Sequence, residues 1–231
     1  MRATDFEFRY RFWIIAGLYF AGFACYWIDS VDAAQWLLRV LGVPAQGTPL
    51  HTAFGIGAAL AGLSAFVRTW GSAYLRSDVV HAPSLRSEAL VADGPYRHVR
   101  NPLYLANFLL ALAMGLIASR LGFLVLVGGH LVFFPRLIGR EEDQLLAAQS
   151  ESYRVYRDAV PAFWPALSPR VPAGNRRPHW EQAILGESFF WVLSIACAWF
   201  AATFNVRQFQ AITLAGLAFY VVVFRAMTRY T

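Results

Sequence analysis

Two charged segments far apart in the chain hold the side chains with chemistry to offer: LVADGPYRHVRNPLYLAN over residues 90–107 and GREEDQLLAAQSESYRVYRDAVP over residues 139–161. Each lies at the edge of long apolar runs. The second opens with Arg140 beside Glu141 and Glu142, and Arg136 stands one turn earlier. Guanidinium groups orient carboxylates through paired hydrogen bonds, and carboxylates accept from hydroxyl and ammonium donors. For a reaction that must remove a proton, Glu142, His98 and His130 are the available bases. His130 falls inside an apolar run, where an ionisable residue is by default a functional hypothesis; the plain alternative is a neutral His bonded to a neighbouring helix. No pair of His or Cys has metal-ligand spacing, so no metal site is expected. Taken alone, Glu141 and Glu142 read as a solvated helix start, because acidic residues favour helix N-termini. Tyr153 and Tyr156 read as aromatic anchors at a membrane interface.

The elements that must position these groups are membrane helices. With 231 residues, 58% hydrophobic and 15% charged, and a mean hydropathy of +0.43, the chain is too apolar for an ordinary soluble domain. Six apolar runs are long enough, or nearly so, to cross about 30 Å of hydrocarbon: residues 12–28, 50–67, 103–119, 121–138, 184–204 and 209–227. The expected fold is therefore all-α and polytopic, with about six spans. Asn101 followed by Pro102 predicts an N-cap and first helical position. Only Ser119 and Arg120 separate the third and fourth runs, which forces a tight hairpin. Gly128, Gly129 and Pro135 predict a kink or local unwinding in the fourth run.

Between the runs, residues 29–43 place Trp36, Leu37, Val40 and Leu41 on one helical face, as an interfacial helix would, and residues 44–49 break it. The second run is rich in small residues that let helices approach closely in lipid. Residues 141–160 space Leu145, Gln149, Tyr153, Tyr156 and Val160 as a helix on the membrane surface does. Residues 162–182 are a Pro-rich loop at headgroup level. Cys25 and Cys197 lie in apolar runs, where a thiol behaves as a small hydrophobe and no disulfide is expected.

All 20 basic residues are Arg, and all but Arg39, Arg120 and Arg207 fall at the termini or in the second and fourth loops, Arg68 included. The positive-inside rule then puts both termini and both charged segments in the cytoplasm. The net charge of +6 is spread over loops without a basic stripe interleaved by aromatics, which argues against nucleic acid and for anionic lipid. An Arg-only basic set and compact loops fit a bacterial inner membrane. Nothing in the sequence sets an oligomeric state.

The run GPYRHVRNPLY, a helical hairpin, GREEDQLL, and YRVYRDAVP followed by Pro165 together resemble the isoprenylcysteine carboxyl methyltransferase and phospholipid methyltransferase group of integral membrane enzymes. Three separated elements occur in the group's order over about residues 80–165. The sequence departs from the group's pattern at Asn101, where His is usual, and at Ala106, where Gly is usual. Asn preserves a helix cap but cannot be protonated near neutral pH.

The resemblance implies a cytoplasmic pocket for S-adenosyl-L-methionine, lined by Glu88, Ala89, Leu90, Val91, Tyr96, Asn101, Pro102, Leu103 and Tyr104, closed by Glu141, with His81 as a further polar contact. It implies a lipidic or amphiphilic acceptor from the bilayer, with Arg136 or Arg140 facing its carboxyl or other polar headgroup and Glu142 beside them. The chain divides into residues 1–79, N-terminal spans and interfacial helix; 80–165, methyltransferase core; and 166–231, Pro-rich loop and two C-terminal spans. Two rival readings stay open: an NADPH-dependent membrane sterol or enone reductase with a similar C-terminal pattern, and a non-catalytic membrane scaffold, motivated by Asn101.

Overall fold

A computed structural model describes residues 2–75 and 92–229, and every expected apolar run within them is helical. His81, Glu88, Ala89, Leu90 and Val91 lie outside the described residues. The helices are α1 (Asp5–Arg9), α2 (Arg11–Ala24), α3 (Ala33–Val40), α4 (Thr48–Tyr74), α5 (Pro102–Ile117), α6 (Arg120–Ala159), α7 (Trp180–Gly186), α8 (Ser188–Thr203) and α9 (Val206–Arg229). Short 3-10 turns cover Cys25–Trp27 and Gly94–Arg97. Among the described residues there is no strand, only an isolated bridge between Asp32 and Ser119.

Three helices, α4, α6 and α9, are long and apolar enough to cross a membrane; α7 with α8, bent by 58°, makes a fourth if the pair is one span. The apolar runs at 12–28 and 103–119 give shorter helices, of 14 and 16 residues, because each run includes residues that leave the helix for a turn. Side by side, the order is α9, α8, α4, α5, α6, α2.

Small residues set these contacts, as the sequence predicts. On α4, Ser64 Oγ donates to the Ala106 carbonyl on α5 at 2.6 Å, and Gly57 faces Ala113 and Leu116. On α6, a Cβ at Gly122 would stand 2.2 Å from the Gly22 carbonyl oxygen of α2, so only glycine permits that approach. The tight hairpin also forms: α5 ends at Ile117, and Ser119 caps α6 by accepting from the Gly122 N–H. Both cysteines are buried and free.

Two expectations are corrected. Backbone unwinding does not occur at Gly128, Gly129 or Pro135; the non-helical residue of α6 is Ser150, at φ 47 and ψ −114. Helix α2 packs against this glycine-bearing stretch, with Leu18 against Gly129, and supports it from the side. Arg68 is not a loop residue, because α4 continues to Tyr74. It is buried and ion-paired with Glu187 at the α7–α8 bend, with its Nη1 donating to Asn107 Oδ1 at 3.2 Å. Glu187 also accepts from Ser72 Oγ at 2.5 Å. Counting charges in loops misses such a pair, since its members are 119 residues apart.

Candidate functional site

The first charged segment reaches α5 through a turn that only glycine can make. Gly94 has φ +56, and a Cβ there would lie 2.3 Å from the Tyr74 ring. Tyr96 follows, buried, with its hydroxyl unpartnered among the described residues. That hydroxyl lies near Gly71 and Pro102, and burial pushes its pKa well above the ordinary value. Asn101 and Pro102 start α5 as expected, but the Asn side chain does not cap it. Asn101 Nδ2 instead donates to the Ala162 carbonyl at 2.9 Å, which ties the helix start to the end of the second segment.

Only the first part of α6, to Ile138, is apolar; the charged part beyond it brings Glu141 to α5. Tyr104 Oη donates to Glu141 Oε1 at 2.7 Å, so the two segments meet at the same end of the bundle. Glu141 is half-buried. Burial raises its carboxyl to about 7, against the pull of the Tyr104 hydrogen bond and of Arg11. Leu103 packs against α4 at Gly71.

Arg100, which sequence reasoning did not single out, is the main stitch. Its Nε and Nη2 meet Glu142 Oε1 at 2.9 and 2.8 Å, and its Nη1 donates to the carbonyls of Arg157 and Val160. Its own N–H donates to the Pro161 carbonyl. The available signal was its place immediately before Asn101 and Pro102. Glu142 is thereby held in an ion pair. Tyr153 and Tyr156 are not interfacial anchors: both are buried, clustered with Val160, Ala92 and Val171, and Tyr156 Oη donates to the Tyr96 carbonyl at 2.8 Å. Of the other bases, His98 Nδ1 lies 2.9 Å from the Ala166 carbonyl, turned toward the Pro-rich loop.

Arg136 and Arg140 stand against the N-terminal segment. Arg136 Nη2 donates to Glu7 at 2.7 Å, and that contact with the Thr4 N–H holds the Glu7 carboxyl down at about 2. Arg140 donates to Asp5 at 2.5 Å and to the Ala3 carbonyl at 3.2 Å. Phe8 is sandwiched between cations, 4.9 Å from Arg140 and 4.4 Å from Arg11. Arg11 is itself buried, and no sequence signal marked it. A cleft of about 690 Å³ opens beside Glu142, lined by Arg2, Gly139, Asp143 and Arg157 as well.

Residues 52–149 match the model of the phospholipid methyltransferase family, the group that the motif pattern resembles. The cobalt-zinc-cadmium resistance protein CzcN of Cupriavidus metallidurans is 36% identical over 84 residues, covering 36% of this chain and 38% of that protein. The nickel-cobalt-cadmium resistance protein NccN of Alcaligenes xylosoxydans xylosoxydans is 32% identical over 84 residues, covering 36% and 39%. The chain thus spans less than two fifths of the length of these curated relatives. No solved structure matches it.

Proposed function

We propose that the protein is a membrane methyltransferase that uses S-adenosyl-L-methionine and acts on a lipidic or amphiphilic acceptor at the cytoplasmic face. The observation that carries this reading is the Tyr104–Glu141 hydrogen bond. It joins the two motif segments inside the stretch that matches phospholipid methyltransferases.

The residues present fit such a cofactor. The buried Tyr96 hydroxyl has no partner among the described residues, and Glu141 offers a carboxyl that changes charge near neutral pH. When bound, the cofactor supplies a methyl group on a positively charged sulfur. Glu141 would accept from its hydroxyl or ammonium donors, and the Tyr96 and Tyr104 rings would present faces that suit a cation. Asn101, Pro102 and Leu103 would form the wall at the start of α5, with His81, Glu88, Ala89, Leu90 and Val91 completing the pocket by resemblance. Arg136 and Arg140 would stand on the acceptor side, where each keeps a buried Nε–H with no partner among the described residues. Glu142, held by Arg100, keeps the two segments together.

In this reading all six apolar runs lie in a bacterial inner membrane with both termini cytoplasmic, an orientation that the arginine distribution supports. The curated relatives are named for metal resistance. Among the described residues no group of three or more His, Cys, Asp or Glu could hold a metal ion. Titration calorimetry of the detergent-solubilised protein tests it against the reductase and scaffold rivals. S-adenosyl-L-methionine binds and NADPH does not, and Tyr104→Phe and Glu141→Gln each weaken binding about tenfold, the worth of one hydrogen bond. Binding unchanged in both variants, or heat with NADPH alone, overturns it.

A further inference from the structure

His130 is a fully buried imidazole on α6. Its Nδ1 lies 2.7 Å from the Leu126 carbonyl of its own helix. A carbonyl can only accept, so Nδ1 carries the hydrogen and the neutral ring keeps its lone pair on Nε2. That Nε2 is buried with no partner among the described residues. Packed edge-on against the imidazole from α2 is the Tyr19 ring, with centroids 5.5 Å apart and planes inclined at 71°. The Tyr19 hydroxyl is also buried and also unpartnered among the described residues.

Two such orphans on contacting rings are costly, because each has given up its hydrogen bond to water without gaining another. They are complementary: one is an O–H donor, the other a bare acceptor. A carboxylate would satisfy the phenol alone, and a quaternary ammonium would satisfy neither. A hydroxyl or an unprotonated amine meets both, because it carries a lone pair and a hydrogen. The lipid side is one residue away on each helix, at the exposed Phe20 and Leu131. On the other side, the Phe134 ring packs edge-on to both His130 and Tyr104, at 4.7 and 5.1 Å. His130 and Glu141 are eleven residues apart on one helix, three turns or about 16 Å, and so share a face.

We propose that Tyr19 and His130 form a two-point subsite for the hydroxyl or amine group of an amphiphilic acceptor, with His130 as the base that takes its proton. The proposal rests on the methyl-transfer reading and narrows its acceptor to a group that must lose a proton. In the step, the acceptor oxygen or nitrogen forms a bond to the methyl carbon. The carbon–sulfur bond breaks and leaves its electron pair on sulfur as a neutral thioether. The acceptor's O–H or N–H proton passes to His130 Nε2.

Nitrogen-15 NMR of histidine-labelled full-length protein in detergent tests the subsite without any turnover, using dodecanol, dodecylamine and dodecanoate as probes. The His130 resonance is the one lost in His130→Gln. It shifts with dodecanol or dodecylamine and not with dodecanoate, and the shift is reduced in Tyr19→Phe; which of the two probes acts separates hydroxyl from amine. No shift with any probe, as for a subsite that holds only water, or an equal shift with dodecanoate, overturns the proposal. Calorimetry separates this failure from failure of the cofactor reading. His130→Gln keeps wild-type affinity for S-adenosyl-L-methionine while methyl transfer to the responding probe falls about 100-fold, the usual loss of a general base; an undiminished rate overturns the proposal.

Discussion

Two long-range ion pairs hold the molecule together, and they do so under different conditions. Arg100 and Glu142 join the two motif segments at the charged end of the bundle, with side chains 11% and 17% exposed. Arg68 and Glu187 join α4 to the α7–α8 bend within the bundle, at 10% and 2%. The first pair belongs to a network in which Arg100 also holds two backbone carbonyls, so losing Glu142 leaves Arg100 its other ties. The second is enclosed by Asn107, Ser72 and the Phe190 ring. Removing Glu187 leaves the buried Arg68 guanidinium without its carboxylate. Similar chemistry therefore fastens the candidate site in one place and the helix bundle in the other.

The sharpest way to break this contrast is Glu187→Ala, expected to cost about 3–5 kcal/mol, as removal of one partner of a buried pair does. Thermal unfolding in detergent measures it, and Arg68→Met/Glu187→Met should recover much of the loss, since two apolar groups leave no stranded charge. Next comes Arg100→Met, which removes one ion pair and two carbonyl contacts at roughly 1 kcal/mol each, about 2–3 kcal/mol together. It should also abolish binding of S-adenosyl-L-methionine in calorimetry, which Glu187→Ala should spare at temperatures where it is folded.

Smaller still is the pH-dependent effect at Glu141. Its carboxyl is raised from 4.5 to about 7, so its contribution to stability is fully present below about 4.5 and is lost as pH rises through about 7. Glu141→Gln should match the wild type at pH 4.5 and exceed it at pH 8 by about 1–3 kcal/mol, after allowance for its half-buried position. A difference that stays constant across this range would show that the carboxyl is not raised. The smallest effect is at the exposed Asp5, whose pair with Arg140 is a surface contact. Asp5→Asn should unfold indistinguishably from wild type.

Much of the fold is written in local sequence, because the signals are local. Apolar runs give the helices, Asn101–Pro102 starts α5, and Ser119 caps α6. Periodicity placed Tyr153, Tyr156 and Val160 on one face, yet could not tell whether that face met lipid or protein. The structure turns it onto the first motif segment. The family resemblance likewise marked Glu141 without naming Tyr104 as its partner, although it implied that the two segments meet.

What the sequence determined by itself is the class of molecule, helices in a bilayer with charged segments at their ends, since hydrophobicity and helix signals act over a turn or two of chain. Only the tertiary structure decided which charges are paired. Arg68 found Glu187, Arg100 found Glu142, and Arg136 and Arg140 found the N-terminal segment. Burial and pairing are set by residues tens to more than a hundred positions away, and no local pattern records who the neighbour will be.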